Sequence, residues 1–252
     1  MDIIINGANG RMGRIVAQAI RDGLTNFTVA ARISPSYYTD SVENTYPALE
    51  QYDGPAHAVV DFSSHACTRA LLDYCLARKL PLVIATTGQT PEELSMIRQA
   101  AEEIPIFLSA NMSIGVALLA ELAAKAAAVF PDADIEIIER HHNRKKDVPS
   151  GTALLLARRI RDVRENAEFI IGRHENGVRT PREIGIHSLR YGNEVGTHEI
   201  ILSNGRETVT LKHEAEDRAL FAQGALAAAA FLRGRTPGLY DMRHIIGKEN
   251  GT

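Results

Sequence analysis

Tryptophan is absent, cysteine occurs only twice, and no apolar run is long enough to cross a bilayer. The longest candidate, residues 116–129, is broken by Glu121 and Lys125, which excludes a transmembrane helix there and argues against a membrane partner. Cys67 and Cys75 fall on one predicted helix, about 12 Å apart along its axis, too far to form a disulfide. Neither has metal-ligating company in the sequence, so no metal site is expected and both are read as buried thiols in a reducing compartment. The chain opens directly on a predicted strand, without a basic stretch, an apolar core and a cleavage site, which implies a cytoplasmic location. An excess of one charge is missing as well. The 28 Lys and Arg are balanced by 31 Asp and Glu, a composition that argues against a nucleic-acid partner.

What is present is an ordinary globular composition in 252 residues, enough for one large domain or two smaller ones. Short apolar strands alternate with helices in the first part: strands at 2–6, 27–32, 57–61, 82–85 and 106–108, and helices at about 12–22, through Cys67 and Cys75, and from Pro91 to about 102. This alternation means βαβ units and a parallel sheet. After Asn111 the pattern changes. An alanine-rich helix at 115–130, a strand at 134–138 and a helix from 152 to about 163 lead into four strands with no helices between them, at 168–172, 183–191, 197–203 and 207–213. Asn204-Gly205 reads as the hairpin turn between the last two. A mixed or antiparallel open sheet in an α+β second domain is expected. The alanine-rich stretch 219–232 is expected to return to the first domain, and residues 248–252 to fray.

Residues 139–153, Glu-Arg-His-His-Asn-Arg-Lys-Lys-Asp-Val-Pro-Ser-Gly-Thr-Ala, concentrate the chemistry. Two imidazoles and several cations so close together repel one another unless an anion sits among them. Pro-Ser-Gly-Thr-Ala opens a helix whose first-turn amides point back at that cluster. The segment reads as a socket for a small multi-anionic substrate with proton donors on its rim. The plainer alternative is a helix cap, by Ser150 or Thr152, beside a solvated basic loop. Glu136 and Glu139 are read as carboxylates that orient and neutralise the cluster. The remaining histidines, at 57, 65, 174, 187, 198, 213 and 244, lack ligand spacing and are read as structural.

Gly7, Gly10 and Gly13 follow the first strand and open the first helix, where a dinucleotide pyrophosphate needs close backbone approach. The second strand ends Ala30-Ala31-Arg32-Ile33-Ser34, without the acid that binds a ribose 2′-hydroxyl. Arg32 and Ser34 suit a 2′-phosphate, which tilts the expected cofactor to NADPH over NADH, although Arg32 also fits a solvated strand-end cation.

With these two pieces in place the chain resembles the 4-hydroxy-tetrahydrodipicolinate reductase (dihydrodipicolinate reductase) family of lysine and diaminopimelate biosynthesis. The family pattern Glu-(Ile/Val)-x-Glu-x-His-x-x-x-Lys-x-Asp-x-Pro-Ser-Gly-Thr-Ala is matched without departure from Glu136 to Ala153. Further agreement lies in Asn-Gly-Arg-Met-Gly at 9–13, Val-Asp-Phe-Ser at 60–63, Thr-Thr-Gly at 86–88, Ser-Ala-Asn-Met-Ser at 109–113 and Gly-Leu-Tyr-Asp-Met at 238–242. The resemblance implies an NAD(P)H-dependent oxidoreductase acting on a cyclic dicarboxylate, with no metal. His141 stands at the family's acid/base position and Lys145 at its proton donor. His142, Ser150, Gly151, Thr152 and Thr87 are implied in substrate binding, the backbone at 150–152 as a carboxylate clamp, and Arg218 as a further carboxylate contact. Cofactor contacts are implied at Gly7, Ala8, Asn9, Gly10, Arg11, Met12, Gly13 and Arg32, and along Ala85-Thr86-Thr87 and Ser109-Ala110-Asn111-Met112.

The family fold implied is α/β: a Rossmann-like dinucleotide-binding domain (1–112 and 218–252) plus an α+β substrate and oligomerisation domain (113–217) with an open mixed sheet, assembled as a homotetramer. Two departures stand out: Ala85 replaces the first glycine of a Gly-Thr-Thr-Gly, and the acid after the second strand is missing. Two other readings remain at this level. One is a related two-domain dehydrogenase acting on a semialdehyde or a sugar; if it acylates its enzyme it needs a nucleophilic cysteine, and Cys67 and Cys75 are poorly placed for that. A nucleotide-sensing module would bind cofactor without turnover and leave His141 and Lys145 without use.

Overall fold

A computed structural model describes residues 1–23, 26–35 and 43–247; the expected fraying at 248–252 lies outside them. Two compact units emerge, residues 1–113 with 218–252, and residues 114–217.

In the first unit, β1 (Asp2–Asn6), α1 (Arg11–Arg21), β2 (Thr28–Ile33), β3 (Thr45–Tyr46), β4 (Ala58–Asp61), α2 (Thr68–Arg78), β5 (Leu82–Ile84), α3 (Pro91–Ala100) and β6 (Pro105–Leu108) follow in order. The strands pair in parallel. Ile3, Ile4, Ile5, Val59, Val60, Leu82, Val83, Ile106 and Phe107 are fully buried, because a parallel sheet covered on both faces needs apolar residues on both. Each such side chain contributes roughly 1.5–3 kcal/mol relative to exposure. Pro91 stands in the first turn of α3 behind a Thr90–Glu93 capping box, as its sequence predicts.

The second unit begins with α4 (Ile114–Val129), followed by β7 (Asp134–His141), α5 (Gly151–Arg161), β8 (Glu168–Ile171), β9 (Glu183–Arg190), β10 (Gly196–Ser203) and β11 (Thr208–Ala215). Its sheet runs β11-β10-β7-β9-β8. β7–β9 and β8–β9 are parallel, while β10 pairs antiparallel with both neighbours, so the sheet is mixed. Leu119, Ala123 and Ala127 of α4 and Leu156, Ala157 and Ile160 of α5 share a core with Ile135, Ile137, Ile184, Ile186, Ile200 and Leu202. Alternation along β7 therefore turns Ile135, Ile137, Glu139 and His141 to the helix side and Glu136, Ile138 and Arg140 to the other.

The chain then returns to the first unit through α6 (Ala219–Leu232), β12 (Gly238–Tyr240) and α7 (Met242–Ile246). β12 adds parallel to the β6 edge, which makes the sheet order β12-β6-β5-β4-β1-β2-β3. The order reverses direction between β1 and β4, where a sheet of this kind opens its ligand crevice. α6 packs on α1 and on β4, β5 and β6, as its alanine-rich composition implies.

The structure corrects two readings. Cys67 is exposed and ends a separate 3-10 turn, His65–Cys67, ahead of α2; only Cys75 is buried. The first strand of the second unit extends to His141, three residues beyond the expected end. Short β3, β12 and α7 carry too little periodicity to be read from sequence. Among the described residues no helix is long and apolar enough to cross a membrane.

One glycine on α6 serves close packing. A Cβ on Gly224 would lie 1.7 Å from the carbonyl oxygen of Met112, a backbone atom that no rotamer change can move. Intrinsic helix propensity favours alanine by about 1 kcal/mol, but Gly224→Ala is expected to destabilise by roughly 1–3 kcal/mol through this overlap. Thermal denaturation checks the sign, since an unchanged or raised midpoint would remove the close approach from the account.

Candidate active site

Glu139 is the buried centre of the second-unit cluster, with 0% exposure. Its Oε2 accepts from Nδ1 of His141 at 2.5 Å and from Arg190 at 2.8 Å. Its Oε1 accepts from the other Arg190 amino group at 2.7 Å and from the backbone N–H of Ser150 at 3.1 Å. Burial alone would raise this carboxyl, but the bonds from His141 and Arg190 outweigh it and hold Glu139 well below the usual carboxylate range. A fixed carboxylate of this kind sets the tautomer of His141, with the proton on Nδ1 and Nε2 left for exchange.

Register explains the convergence. Arg190 stands opposite His141 across the parallel β7–β9 pair. The same guanidinium also donates to the carbonyl of Asp147 at 2.8 Å, which ties the loop carrying Lys145 to the sheet. Lys145 Nζ pairs with Asp147 at 2.9 Å. Burial works against ionised Asp147, yet the Lys145 bond keeps its carboxyl below the ordinary range. The backbone N–H of His142 donates to the carbonyl of Glu194 and that of Lys145 to the carbonyl of His142.

Ser150 caps α5 by accepting the N–H of Ala153 at 3.1 Å. The Ser150 N–H, expected as one of three amides in a backbone clamp, is instead bonded to Glu139. Gly151 faces open space, with nothing within 4 Å of where a Cβ would stand.

His198, on β10, has no ligand-like spacing in the sequence and reads there as structural, yet the fold brings it to the site. It is 4% exposed, its Nε2 lies 3.1 Å from the hydroxyl of Ser150, and its ring meets that of His141 edge-on at 5.2 Å. Burial, with His141 next to it, pushes its pKa down to about 3. Folded His198 thus stays neutral while the unfolded chain takes up a proton near pH 6.5, so stability is full above that value and falls on acidification. Between pH 8 and pH 5 this one group is expected to remove about 2 kcal/mol. Burial lowers His213 in the same direction, whereas Glu139 responds only to still lower pH. Urea denaturation at both pH values, compared with His198→Gln, isolates the effect; an equal pH loss in the variant would refute it.

In the first unit, Gly7 takes φ +77°, and a Cβ there would lie 2.5 Å from the Phe62 carbonyl oxygen, while one on Gly13 would lie 2.4 Å from the Gly7 oxygen. These two glycines thus let strand, loop and helix pack closely. α1 has no side-chain cap and no acid in its first turn, which leaves its amides and partial positive charge for an anion. Below the loop, the buried Asp61 accepts from Asn6 at 2.8 Å and from the N–H and hydroxyl of Ser63; burial raises its pKa against these bonds. The donor set fits a dinucleotide pyrophosphate. Ala85-Thr86-Thr87 and Ser109-Ala110-Asn111-Met112 follow the carboxyl ends of β5 and β6. Asn111 accepts the Ser113 N–H and Ser109 donates to the Asn111 carbonyl, so that loop is internally braced. Arg32 donates to the carbonyl of Glu43 at 3.1 Å.

The family profile "Dihydrodipicolinate reductase, N-terminus" matches residues 1–112, and "Dihydrodipicolinate reductase, C-terminus" matches residues 115–246. The chain belongs to the dihydrodipicolinate reductase family. It is 43% identical to the 4-hydroxy-tetrahydrodipicolinate reductase of Caldanaerobacter subterraneus subsp. tengcongensis, over 98% of each chain. It is also 43% identical to the one from Caulobacter vibrioides, over 97% of this chain and 96% of that relative. A dipicolinate-bound dihydrodipicolinate reductase from Paenisporosarcina sp. TG-14 superposes with a TM-score of 0.83 at 24% identity, covering 98% and 99% of the two chains, a likeness of fold. The dihydrodipicolinate reductase C-terminal profile runs through α6 to residue 246, whereas these residues pack within the first unit. Arg190 and His198, outside the family pattern, meet its Glu139 and Ser150, while Asp147, within the pattern, pairs with Lys145. Only strand register, absent from the one-dimensional pattern, brings Arg190 and His198 to Glu139.

Proposed function

We propose that this chain reduces 4-hydroxy-tetrahydrodipicolinate to tetrahydrodipicolinate with loss of water, the reductase step of lysine and diaminopimelate biosynthesis. The buried Glu139–His141 pair beside the N-terminus of α5 carries this reading, since it joins a proton donor of defined tautomer to a carboxylate-binding helix end. When bound, the reduced nicotinamide supplies the hydride for the substrate ring. His141 and Lys145 hold the protons, for the ring nitrogen where negative charge accumulates and for the departing hydroxyl. The helix start at 150–152 and His142 hold the carboxylates, and the dipicolinate bound to the Paenisporosarcina reductase is a compound of that class. Residues 7–13 bind the pyrophosphate.

NADPH is the preferred reductant on this reading, because β2 ends Arg32-Ile33 and Ser34 follows, without an acid in that run of sequence. The protein works in the cytoplasm as a homotetramer. The sheet face away from α4 and α5, with half-buried Ile138 and Ile201 and exposed Leu189, is the surface for that assembly.

A coupled assay tests the function. A synthase forms the unstable substrate from pyruvate and aspartate semialdehyde, and nicotinamide absorbance is followed with NADPH and NADH in parallel. Turnover in the complete mixture, absent without the synthase, is expected, and faster with NADPH. Folded protein that binds NADPH and turns over neither cofactor would sink the reductase reading.

A further inference from the structure

The ring of His141 is confined by more than Glu139. A Cβ placed on Gly196 would lie 2.9 Å from its Nε2 and 3.3 Å from its Cδ2, so the ring edge that carries the exchangeable position occupies the room a side chain at 196 would take. Two residues along β10, the imidazole of His198 meets the same ring at a centroid distance of 5.2 Å and an interplanar angle of 74°. His198 is anchored in turn by Ser150, whose hydroxyl oxygen takes the Ala153 N–H and lies 3.1 Å from His198 Nε2. The Ser150 hydroxyl thus bridges the α5 cap and the His198 ring.

We propose that Gly196 and His198 are positioning residues for His141: the bare backbone at 196 admits the Nε2 edge, and the His198 ring closes the alternative tilt. The inference rests on the acid/base role of His141. β10 thereby does from one side what Glu139 does from the other, and it locks the ring relative to the N-terminus of α5, because the Ser150 that holds His198 is also the cap of that helix. An imidazole suits position 198 because it offers an edge to pack on His141 and one nitrogen for the Ser150 hydroxyl. Burial keeps it uncharged, so it does not compete with His141 for Glu139.

The test is a double-mutant cycle on turnover in the synthase-coupled assay, with NADPH and pyridine-2,6-dicarboxylate affinities measured on the same proteins. His198→Ala is expected to lower kcat about 10- to 100-fold, the scale of a misplaced catalytic group, while both affinities stay within about threefold. His198→Phe, which keeps a ring against His141, is expected to recover part of the loss. In a His141→Ala background the same His198→Ala change should leave the residual kcat unaltered, because nothing is left to position.

Equal factors in both backgrounds, or no loss in the single variant, would overturn the proposal. Wild-type turnover in His141→Ala alone would instead overturn the acid/base reading of His141, and this inference with it. Where His198→Ala fails to fold, Gly196→Ala runs through the same cycle, with the nitrogen-15 shifts of the His141 ring as the second readout. A changed tautomer signature with additivity lost supports the seat, and an unchanged one refutes it.

Discussion

Glu139→Ala is expected to lower stability by about 3–5 kcal/mol, because it leaves the partly buried Arg190 guanidinium facing an empty space in the buried centre of the site without its counter-charge. Both Arg190 amino groups, His141 and the Ser150 amide direct their hydrogens at this one carboxylate, so four donors lose their acceptor together. Glu139→Gln separates charge from shape. The amide fills the same volume but presents a second donor to donors already in place, and it no longer selects the His141 tautomer. Its kcat is expected to fall about 10²- to 10⁴-fold, with NADPH affinity unchanged, since residues 7–13, proposed to bind the cofactor, belong to the other compact unit. Chemical denaturation of Glu139→Ala and steady-state kinetics of Glu139→Gln are the measurements. A stable alanine variant, or a glutamine variant at wild-type turnover, would mean that the carboxylate does not organise the site.

The second large effect falls on His141 and Lys145, the proposed proton donors. His141→Ala and Lys145→Ala are each expected to lower kcat about 10²- to 10⁴-fold. Neither is expected to destabilise comparably. Side-chain exposure is 10% for His141 and 21% for Lys145, and Lys145 pairs with Asp147, whose own side chain is 58% exposed, so its loss strands no buried charge. The combined variant discriminates roles. If both groups serve one proton transfer, the double substitution falls little below the worse single variant; if they serve ring protonation and hydroxyl departure separately, the losses multiply. NADPH binding measured by fluorescence should persist in all three. Loss of cofactor affinity parallel to loss of turnover would move these residues out of the chemistry and into the fold.

Much of the site is legible in the chain itself. The hydrophobic run at 134–138 and the Ser-Gly-Thr helix start require only neighbours in sequence, and so do Gly7, Gly10 and Gly13 between a strand and a helix. The departures have equally specific causes. Cys67 reads as buried when one helix is extended through it, but Ser64 opens a separate 3-10 turn by accepting the Ala66 amide, which places Cys67 outside the buried face. The clamp at Ser150 loses one amide to Glu139, eleven residues earlier in the chain. His198 lacks ligand spacing, although it stands directly opposite Glu139 in the β7–β10 register.

Local spacing along the chain is enough to specify the two-part architecture, the crowding of imidazoles and cations beside a helix start, and the family, because each is written in neighbouring residues. Tertiary structure alone decided which carboxylate holds His141, which guanidinium stabilises that carboxylate, and which residues limit the tilt of the ring. Those choices depend on the register between β7, β9 and β10 and on the burial that follows from it. Register is the sum of packing across a whole sheet, which no segment of the chain carries alone.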